Sequence, residues 1–378
     1  MKKTTIYAGT TIGLLGLVAF GLSINNIKSP LIFAARATSS PVYKHYNAIA
    51  PTDNGHGCVE FWVSCSDYSY SLTAPTEGTI VEGGNITSNP SFDWNGMDVL
   101  DERFVPSINQ QKAWGMIPVL DAGNNKISYG LYPQTHVSDA DLISALNALT
   151  ESSIMEENGY YYYNGNFYQN CLGDKCDNDN HFADGEKVVD NVKYWFVCEP
   201  ISWVIMSSSG STYTLYSEKA IHAGITWAYN NSNTYETSQV REWLNGIGTY
   251  SGEGFIKTAL YPSRNYLQPM TLTLDDGSAT LNDNVRLLTK GEASDSTYFA
   301  NNNARMIILT DWTAAHHACF KNGSSSYGRW WLCEANTDTT TNVWGVGLSG
   351  DVGNGGPKTG NGSKDRAERP VITISYNF

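Results

Sequence analysis

The residues of this chain that could do chemistry are its thiols, imidazoles and carboxylates, and residues 311–319 hold all three types. Asp311, His316, His317 and Cys319 fall within nine positions. An acid, an imidazole and a thiol are the groups that a cysteine nucleophile requires. Catalytic sets, however, are assembled in space and rarely from one short segment, and nothing in the stretch indicates the lowered thiol pKa that reactivity needs. We therefore assign no catalytic residue.

A second candidate is an acidic run that could hold a cation. Its carboxylates alternate with the amides of Asn178 and Asn180, and oxygen ligands of this kind suit Ca²⁺. Phe182 occupies the place of the glycine that an EF-hand loop requires. The alternative is a solvated loop, which we favour, and no other cofactor is expected. The run comprises Asp174, Asp177, Asp179, Asp184 and Glu186.

Aromatic side chains are the third resource. Trp227, Tyr229 and Tyr235 lie in an Asn-rich segment outside any periodic pattern. Rings beside amides and hydroxyls suit sugar or peptide recognition. Trp330 and Trp331 are adjacent in a predicted strand and must point to opposite faces, so at least one is expected near the surface. The predicted ligand-binding set is Trp227, Tyr229, Tyr235, Arg241, Trp330 and Trp331.

Several short segments carry a family resemblance. They are Gly130 to Gln134, Tyr194 to Trp203 (YWFVCEPISW), Val240 to Asn245 (VREWLN), Asn284 to Leu288, Gly328 to Leu332 (GRWWL) and Glu368 to Ile372 (ERPVI). In this order they resemble a domain-of-unknown-function family of Gram-positive surface proteins, over roughly Trp114 to Phe378. The resemblance implies no reaction. Relatives place Arg-Ser after the WWL motif, where this chain has Cys333 and Glu334.

The amino terminus predicts export. Lys2 and Lys3 precede an uncharged run from Ile6 to Ile24, and this run of 19 residues is long enough to cross a hydrocarbon core of about 30 Å. Ala35 and Ala37 offer the small residues of a cleavage site. Residues 1–37 are thus a signal peptide or an uncleaved membrane anchor, and the protein is expected outside the cell or on its surface.

The net charge limits the kinds of partner that the protein can bind, and the cysteine content bears on disulfide formation after export. A net charge of −13 with no cluster of Lys or Arg excludes nucleic acid, and membrane contact is expected only through the amino-terminal run. Exported proteins favour disulfides. Pairing of sequence neighbours predicts Cys58–Cys65, Cys171–Cys176 and Cys319–Cys333, which leaves Cys198 as a buried thiol among aromatic residues.

The elements that must position these groups are short. Residues 38–113 read as a small β-rich module, and residues 114–378 as a large domain with many strands and two clear helices, Ser138 to Leu149 and Ser238 to Leu244. Asn164 and Gly165 predict a hairpin turn. The fold class is therefore α+β and loop-rich. Its arrangement resembles the C-type-lectin-like and formylglycine-generating-enzyme folds, in which the first and last strands pair.

Together these observations predict a secreted or cell-surface binding protein that recognises a glycan or a surface protein through exposed loops. A binding module needs only a fold, display and exposed contact groups, and all of these are predicted here. The alternatives are an extracellular Cys/His-dependent enzyme, for which no complete catalytic set can be assembled, and a structural spacer of the cell envelope.

Overall fold

The structure is a computed structural model, and it divides the chain into two compact units, residues 1–112 and 113–378. It describes residues 42–52, 55–64, 70–71, 79–82, 93–94, 97–98, 108–150, 158–176, 180–228, 233–251, 253–260, 266–274, 277, 280–318, 327–336, 342–357 and 364–378. The hydrophobic run at residues 6–24 lies outside this part. Among the described residues, none of the helices has the length and apolar character needed to span a bilayer.

The amino-terminal unit contains one four-stranded sheet and one ribbon. In the sheet, β1 pairs antiparallel with β2 and parallel with β4, while β3 extends the far edge of β2. β5 and β6 form the ribbon. The strands are β1 Val42–Thr52, β2 Gly55–Ser64, β3 Tyr70–Ser71, β4 Thr79–Glu82, β5 Asp93–Trp94 and β6 Met97–Asp98.

The carboxyl-terminal unit is rich in strands, with few and short helices. A first helix, α1 Ile108–Ala113, lies at the division between the units. The strands that follow are β7 Val119–Asp121, β8 Lys126–His136, β9 Tyr161–Tyr163, β10 Asn166–Leu172, β11 Lys193–Ser209, β12 Thr212–Ser217, β13 His222–Ala223, β14 Leu267–Gln268, β15 Met270–Thr273, β16 Thr280–Asp283, β17 Val285–Leu287, β18 Ile307–Ile308, β19 Tyr327–Ala335, β20 Asn342–Val346, β21 Val352–Pro357, β22 Arg366–Glu368 and β23 Pro370–Ser375. The helices are α2 Ala140–Asn147, α3 Gln239–Asn245, α4 Phe255–Thr258, α5 Lys290–Ser294, α6 Asn302–Arg305 and α7 Asp311–Ala315.

The larger sheet is organised around the long strand β11. β8 pairs along one edge of β11, and β10 followed by β12 pairs along the other. β12 pairs in turn with the terminal strand β23. β11 and β12 therefore separate β8 from β23, and the predicted pairing of the first and last strands is not seen. The lectin-like arrangement stays unconfirmed, whereas the broader description, many strands with few short helices, holds.

The second sheet carries the segment that contains the two adjacent tryptophans. Its order is β13-β22-β19-β20-β21, and β18 adds to β19. β19 pairs parallel with β22 and antiparallel with β20, so it is an interior strand. A separate ribbon is formed by β15 and β16. One continuous core, which includes Trp203, Trp227 and Trp330, joins the two sheets.

Local sequence signals explain the helices and the hairpin. In α3, the Ser238 side chain accepts from the Arg241 N–H, and Val240, Trp243 and Leu244 are buried. In α2 the N-cap is Asp139, one residue after the predicted helix start at Ser138, because the Asp139 carboxylate accepts from the Leu142 N–H. α2 packs on a small satellite core formed by Val137, Leu146, Tyr168 and Trp195.

The predicted hairpin joins β9 to β10 through two residues with positive φ. Asn164 has φ 47° and Gly165 has φ 81°. Positive φ at both positions is the type I′ geometry that matches the twist of a two-residue hairpin. The prediction of this turn from the Asn-Gly pair is therefore confirmed.

Candidate functional site

The aromatic residues predicted to bind a ligand lie in the core. Trp227, Tyr235, Trp330 and Trp331 each have 0% of their surface exposed. The rings of Trp227 and Trp331 pack 5.2 Å apart, and the Tyr235 hydroxyl accepts from the Leu287 N–H at 3.3 Å. The expectation that these rings are exposed is wrong. Because β19 has neighbours on both edges and packed layers on both faces, opposite orientation does not bring either tryptophan to the surface. Tyr229 lies outside the described residues.

Arg241 is engaged within the fold. Its Nε and Nη2 atoms donate to the two carboxylate oxygens of Asp283 at 2.8 and 2.7 Å, and its Nη1 donates to the Glu236 carbonyl at 2.9 Å. Asp283 is buried. This bidentate ion pair ties α3 to the end of β16, so the guanidinium acts as a structural crosslink.

The cysteines do not follow the predicted pairing. Cys171, Cys198 and Cys333 carry thiols, which makes the pairs Cys171–Cys176 and Cys319–Cys333 wrong. Cys176 is disulfide-bonded, and Cys65 and Cys319 lie outside the described residues. Both thiols belong to packed strands: Cys171 lies on β10 against the main core, and Cys333 is buried within that core on β19. The thiol predicted at Cys198 is confirmed.

Neither the partly buried Cys171 nor the buried Cys198 is arranged to act as a nucleophile. Burial raises the pKa of Cys171 to about 12, and burial followed by the nearby Glu199 raises the pKa of Cys198 well above its ordinary value. The Cys171 Sγ lies 4.0 Å from His316 Nδ1, but that nitrogen lies 2.7 Å from the Trp312 carbonyl oxygen. A carbonyl only accepts, so Nδ1 carries the proton and is not the base that would take one from the thiol.

The acid and imidazoles of residues 311–319 do not converge. Asp311 accepts from the backbone N–H groups of His136 and Ala183 at 2.9 and 2.7 Å. His317 instead contacts Asp174 at 2.8 Å. Asp311 and His317 contact different segments of the chain. Residues 311–319 therefore form a junction between these segments and not a catalytic set.

That junction supports a surface formed by residues 172–192, of which 177–179 lie outside the described part. We call this segment the 172–192 loop. Its base is closed by two backbone hydrogen bonds of 2.8 Å, Gly173 N–H to Val192 O and Asn191 N–H to Gly173 O. A Cβ at Gly173 would lie 2.5 Å from the Val189 carbonyl oxygen, so the close approach of the two chains requires glycine.

Backbone and amide contacts fix the loop to the end of α7. Asp174 N–H donates to Ala315 O at 2.8 Å, and His317 N–H donates to Asp174 O at 2.6 Å. The buried Asn180 amide donates to Ala314 O and Ala318 O at 3.2 and 3.0 Å. The loop is therefore held by main-chain geometry, which leaves its outward side chains available.

The outward side of the loop combines apolar and acidic groups. Leu172, Val189 and Val192 are 59%, 49% and 41% exposed, and the backbone bonds at Gly173 bring their chain segments together. The carboxylate of Asp174 is also exposed. We call Leu172, Val189 and Val192 the aliphatic patch.

The acidic run separates into two pairings with histidines. Asp174 pairs with His317, whereas Asp184 Oδ2 lies 2.9 Å from His136 Nδ1 and Glu186 Oε2 lies 4.0 Å from His136 Nε2. Burial tends to raise the pKa of Asp184, but the hydrogen bonds from the Glu186 N–H and from His136 outweigh it and lower that pKa overall. In the described part of the chain, His136, Asp184 and Glu186 form the one group whose donor atoms could hold a metal ion. Asp177 and Asp179 lie outside it.

His222, Tyr132 and Trp312 form a buried polar cluster. His222 Nδ1 is 3.1 Å from the Tyr132 hydroxyl and 3.0 Å from Trp312 Nε1. Because Trp312 Nε1 is a donor, His222 Nδ1 accepts, and burial followed by the nearby His316 lowers the pKa of His222 well below its ordinary value. Glu368, paired with His222 across β13 and β22, is fully buried. This cluster is a neutral part of the core.

Comparison with known proteins finds a family match only for the later part of the chain. Residues 210–376 match the family model described as a domain of unknown function, DUF6273. No curated protein and no solved structure matches the chain. The match includes α7 but begins after β11, so the 172–192 loop and His136 precede it.

Sequence reasoning missed His136 and the aliphatic patch. His136 stands alone in the sequence, 48 residues before Asp184, and no spacing rule connects them. The acidic run did point to the loop, although it did not indicate which carboxylates meet a histidine. Leu172, Val189 and Val192 read as ordinary loop or strand residues, since exposure is a tertiary property.

Proposed function

We propose that this chain is an exported binding protein whose carboxyl-terminal unit recognises a protein displayed on a cell surface through the 172–192 loop. The observation that carries the proposal is the aliphatic patch. Three apolar side chains stand exposed on chain segments that meet at Gly173, in a loop that is fixed to α7 by backbone hydrogen bonds. Exposed apolar groups rimmed by polar residues are a feature of interaction sites, and a preorganised loop loses little entropy on binding.

The side chains of this surface favour a protein over a glycan. Sugar rings are bound through aromatic platforms, whereas the members of the predicted aromatic set that the structure describes are buried: Trp227, Tyr235, Trp330 and Trp331. Aliphatic groups on a loop that also exposes the carboxylate of Asp174 complement an apolar protein segment that carries basic residues. A glycan is the second candidate, because the exposed carboxylates can accept hydrogen bonds from sugar hydroxyls.

The test is a binding screen that also monitors turnover. The purified full-length chain is incubated with surface proteins extracted from Gram-positive and host cells, and in parallel with a glycan array. The proposal expects saturable binding of a protein, competed by excess chain, with the bound protein recovered chemically unchanged. Cleavage or modification of the captured molecule would support the extracellular enzyme instead. An absence of binding on both platforms would favour a structural spacer.

A further inference from the structure

We propose that His136, Asp184 and Glu186 form a binding site for a divalent transition-metal ion of the Zn²⁺ class. One imidazole and two carboxylates come together at the edge of the 172–192 loop, and one ligand atom from each lies within 4.8 Å of the others. Two ligands of one tetrahedral zinc ion, each bonded at about 2.0–2.2 Å, lie about 3.3–3.6 Å apart. His136 Nδ1 and Asp184 Oδ2 are 2.9 Å apart, so an ion could replace their hydrogen bond after the two atoms separate by about 0.5 Å.

The imidazole is oriented before any ion binds. Its ring stacks on Phe182 with centroids 4.2 Å apart and planes 25° apart, and the edge of Tyr194 packs against it at 5.5 Å. The backbone N–H of His136 donates to the buried Asp311. Only 2% of the His136 side chain is exposed. Because packing already fixes the imidazole, little side-chain conformational entropy is lost when it coordinates an ion.

The two carboxylates are brought to the ring by a tight turn. Phe182 N–H donates to Glu186 O at 2.8 Å and Gly185 N–H donates to Phe182 O at 3.0 Å. The Glu186 N–H also donates to Asp184 Oδ1 at 2.9 Å, which leaves Oδ2 directed at the histidine. Glu186 is the more exposed of the two, and its carboxylate lies 4.0 Å from Nε2, whereas that of Asp184 lies at Nδ1. Because one imidazole nitrogen binds one ion, Glu186 must rotate toward the Nδ1 side to join Asp184, and the donor atoms of the three residues already lie within 4.8 Å of one another.

The donor set selects the class of ion. Ca²⁺ takes six to eight oxygen ligands, whereas an imidazole with two carboxylates suits Zn²⁺ and its first-row neighbours. Three protein ligands leave at least one coordination position, and the exposed carboxylates place that position at the surface. A water molecule or a donor group of a bound molecule completes the coordination. The net charge of −13 also attracts cations to the protein.

The chain contains a matched control for this site. His317 Nδ1 and Asp174 Oδ1 are 2.8 Å apart, nearly the same distance as in the proposed site. In the described part of the chain they are not members of a three-donor group. The His317–Asp174 pair, whose aspartate lies on the same loop as Asp184, therefore shows how strongly a histidine–aspartate pair binds Zn²⁺ without a third ligand.

Calorimetric titration of the untagged full-length chain with Zn²⁺ alone, after removal of metal by a chelator, tests the proposal. We expect one Zn²⁺ per chain and little heat from Ca²⁺. Asp184→Asn and Glu186→Gln change exposed side chains and should each weaken Zn²⁺ binding at least about tenfold, as losses in a metal shell commonly do. Asp174→Asn and His317→Gln should bind like the unaltered chain.

His136→Gln should also abolish binding, and thermal unfolding of the metal-free variant shows whether this buried substitution disturbs the fold. Zn²⁺ should raise the unfolding temperature of the unaltered chain, because an ion that binds only the folded state stabilises it. The proposal is overturned if the unaltered chain binds no Zn²⁺, if Ca²⁺ binds as tightly, or if Asp184→Asn and Glu186→Gln bind normally. No partner protein is present in this titration, so its outcome is independent of the proposed function.

Discussion

At the scale of single residues, Glu368 is a carboxylate that the fold removes from water. It is fully buried, and neither carboxylate oxygen has a hydrogen-bond partner in the structure. Burial raises its pKa well above the ordinary value of 4.5. The folded chain therefore keeps Glu368 protonated, whereas the unfolded chain ionises it. As the pH rises above 4.5 the unfolded state gains this ionisation free energy, so the contribution of Glu368 to stability falls.

Glu368→Gln should remove this pH dependence. A neutral amide has the same size and does not ionise, so the variant should be more stable than the unaltered chain at about pH 7, and the difference should shrink toward about pH 4. Urea unfolding at several pH values measures both free energies. Equal stability differences at all pH values, or a variant that is less stable at neutral pH, would contradict the raised pKa.

Trp227 is the residue for which sequence and structure disagree most clearly. Its position in an Asn-rich segment predicts an exposed ring, but the ring is buried against Trp331 and its Nε1 donates to Asn233 O at 3.3 Å. Trp227→Ala should therefore cost about 3–5 kcal/mol of unfolding free energy, as for other large core truncations. The partly exposed Trp344, packed under the Lys290 ammonium at 3.7 Å, is the control, and Trp344→Ala should cost much less. If Trp227→Ala lost as little unfolding free energy as Trp344→Ala, Trp227 would not be a core anchor.

At the scale of elements, the Arg241–Asp283 ion pair joins α3 to the end of β16. Arg241→Met leaves the buried carboxylate of Asp283 without its guanidinium, and breaking a buried pair in this way costs about 3–5 kcal/mol. The double variant Arg241→Met with Asp283→Leu removes both charges and should recover most of that loss. Denaturant unfolding of the three chains measures the coupling. A single variant as stable as the unaltered chain would indicate that the ion pair contributes little.

The elements themselves could be predicted where their signals are local. Ser238 and the spacing of Val240, Trp243 and Leu244 give the helix α3, and Asn164 with Gly165 gives the hairpin between β9 and β10. The candidate site could not be predicted, because it depends on contacts across long separations. His136 reaches Asp184 only after β8, β10 and β11 have paired, and Trp330 and Trp331 are covered only because β19 becomes an interior strand.

At the scale of the whole molecule, the carboxyl-terminal unit carries a mixed apolar and acidic loop that is hydrogen-bonded to the end of α7. Asp311 receives N–H groups from His136 in β8 and from Ala183 in the 172–192 loop, and the adjacent Trp312 contacts His222 in the buried cluster. The fold thereby fixes the loop without using the side chains of the aliphatic patch. This separation of support and contact is what a binding module needs, and it is the central claim of our account.

The affinity of patch variants for the captured partner tests that claim most directly. Leu172→Ser combined with Val189→Ser removes two members of the aliphatic patch. Ile247→Ser combined with Ile308→Ser removes two aliphatic residues elsewhere that are somewhat less exposed, at 40% and 44%. Surface changes of this kind alter stability by about 0.5 kcal/mol or less, so both chains should fold. We predict that the patch variant binds the partner at least about tenfold more weakly, a change of about 1.4 kcal/mol, while the control variant binds normally. Equal affinity of the patch variant and the unaltered chain would contradict the account.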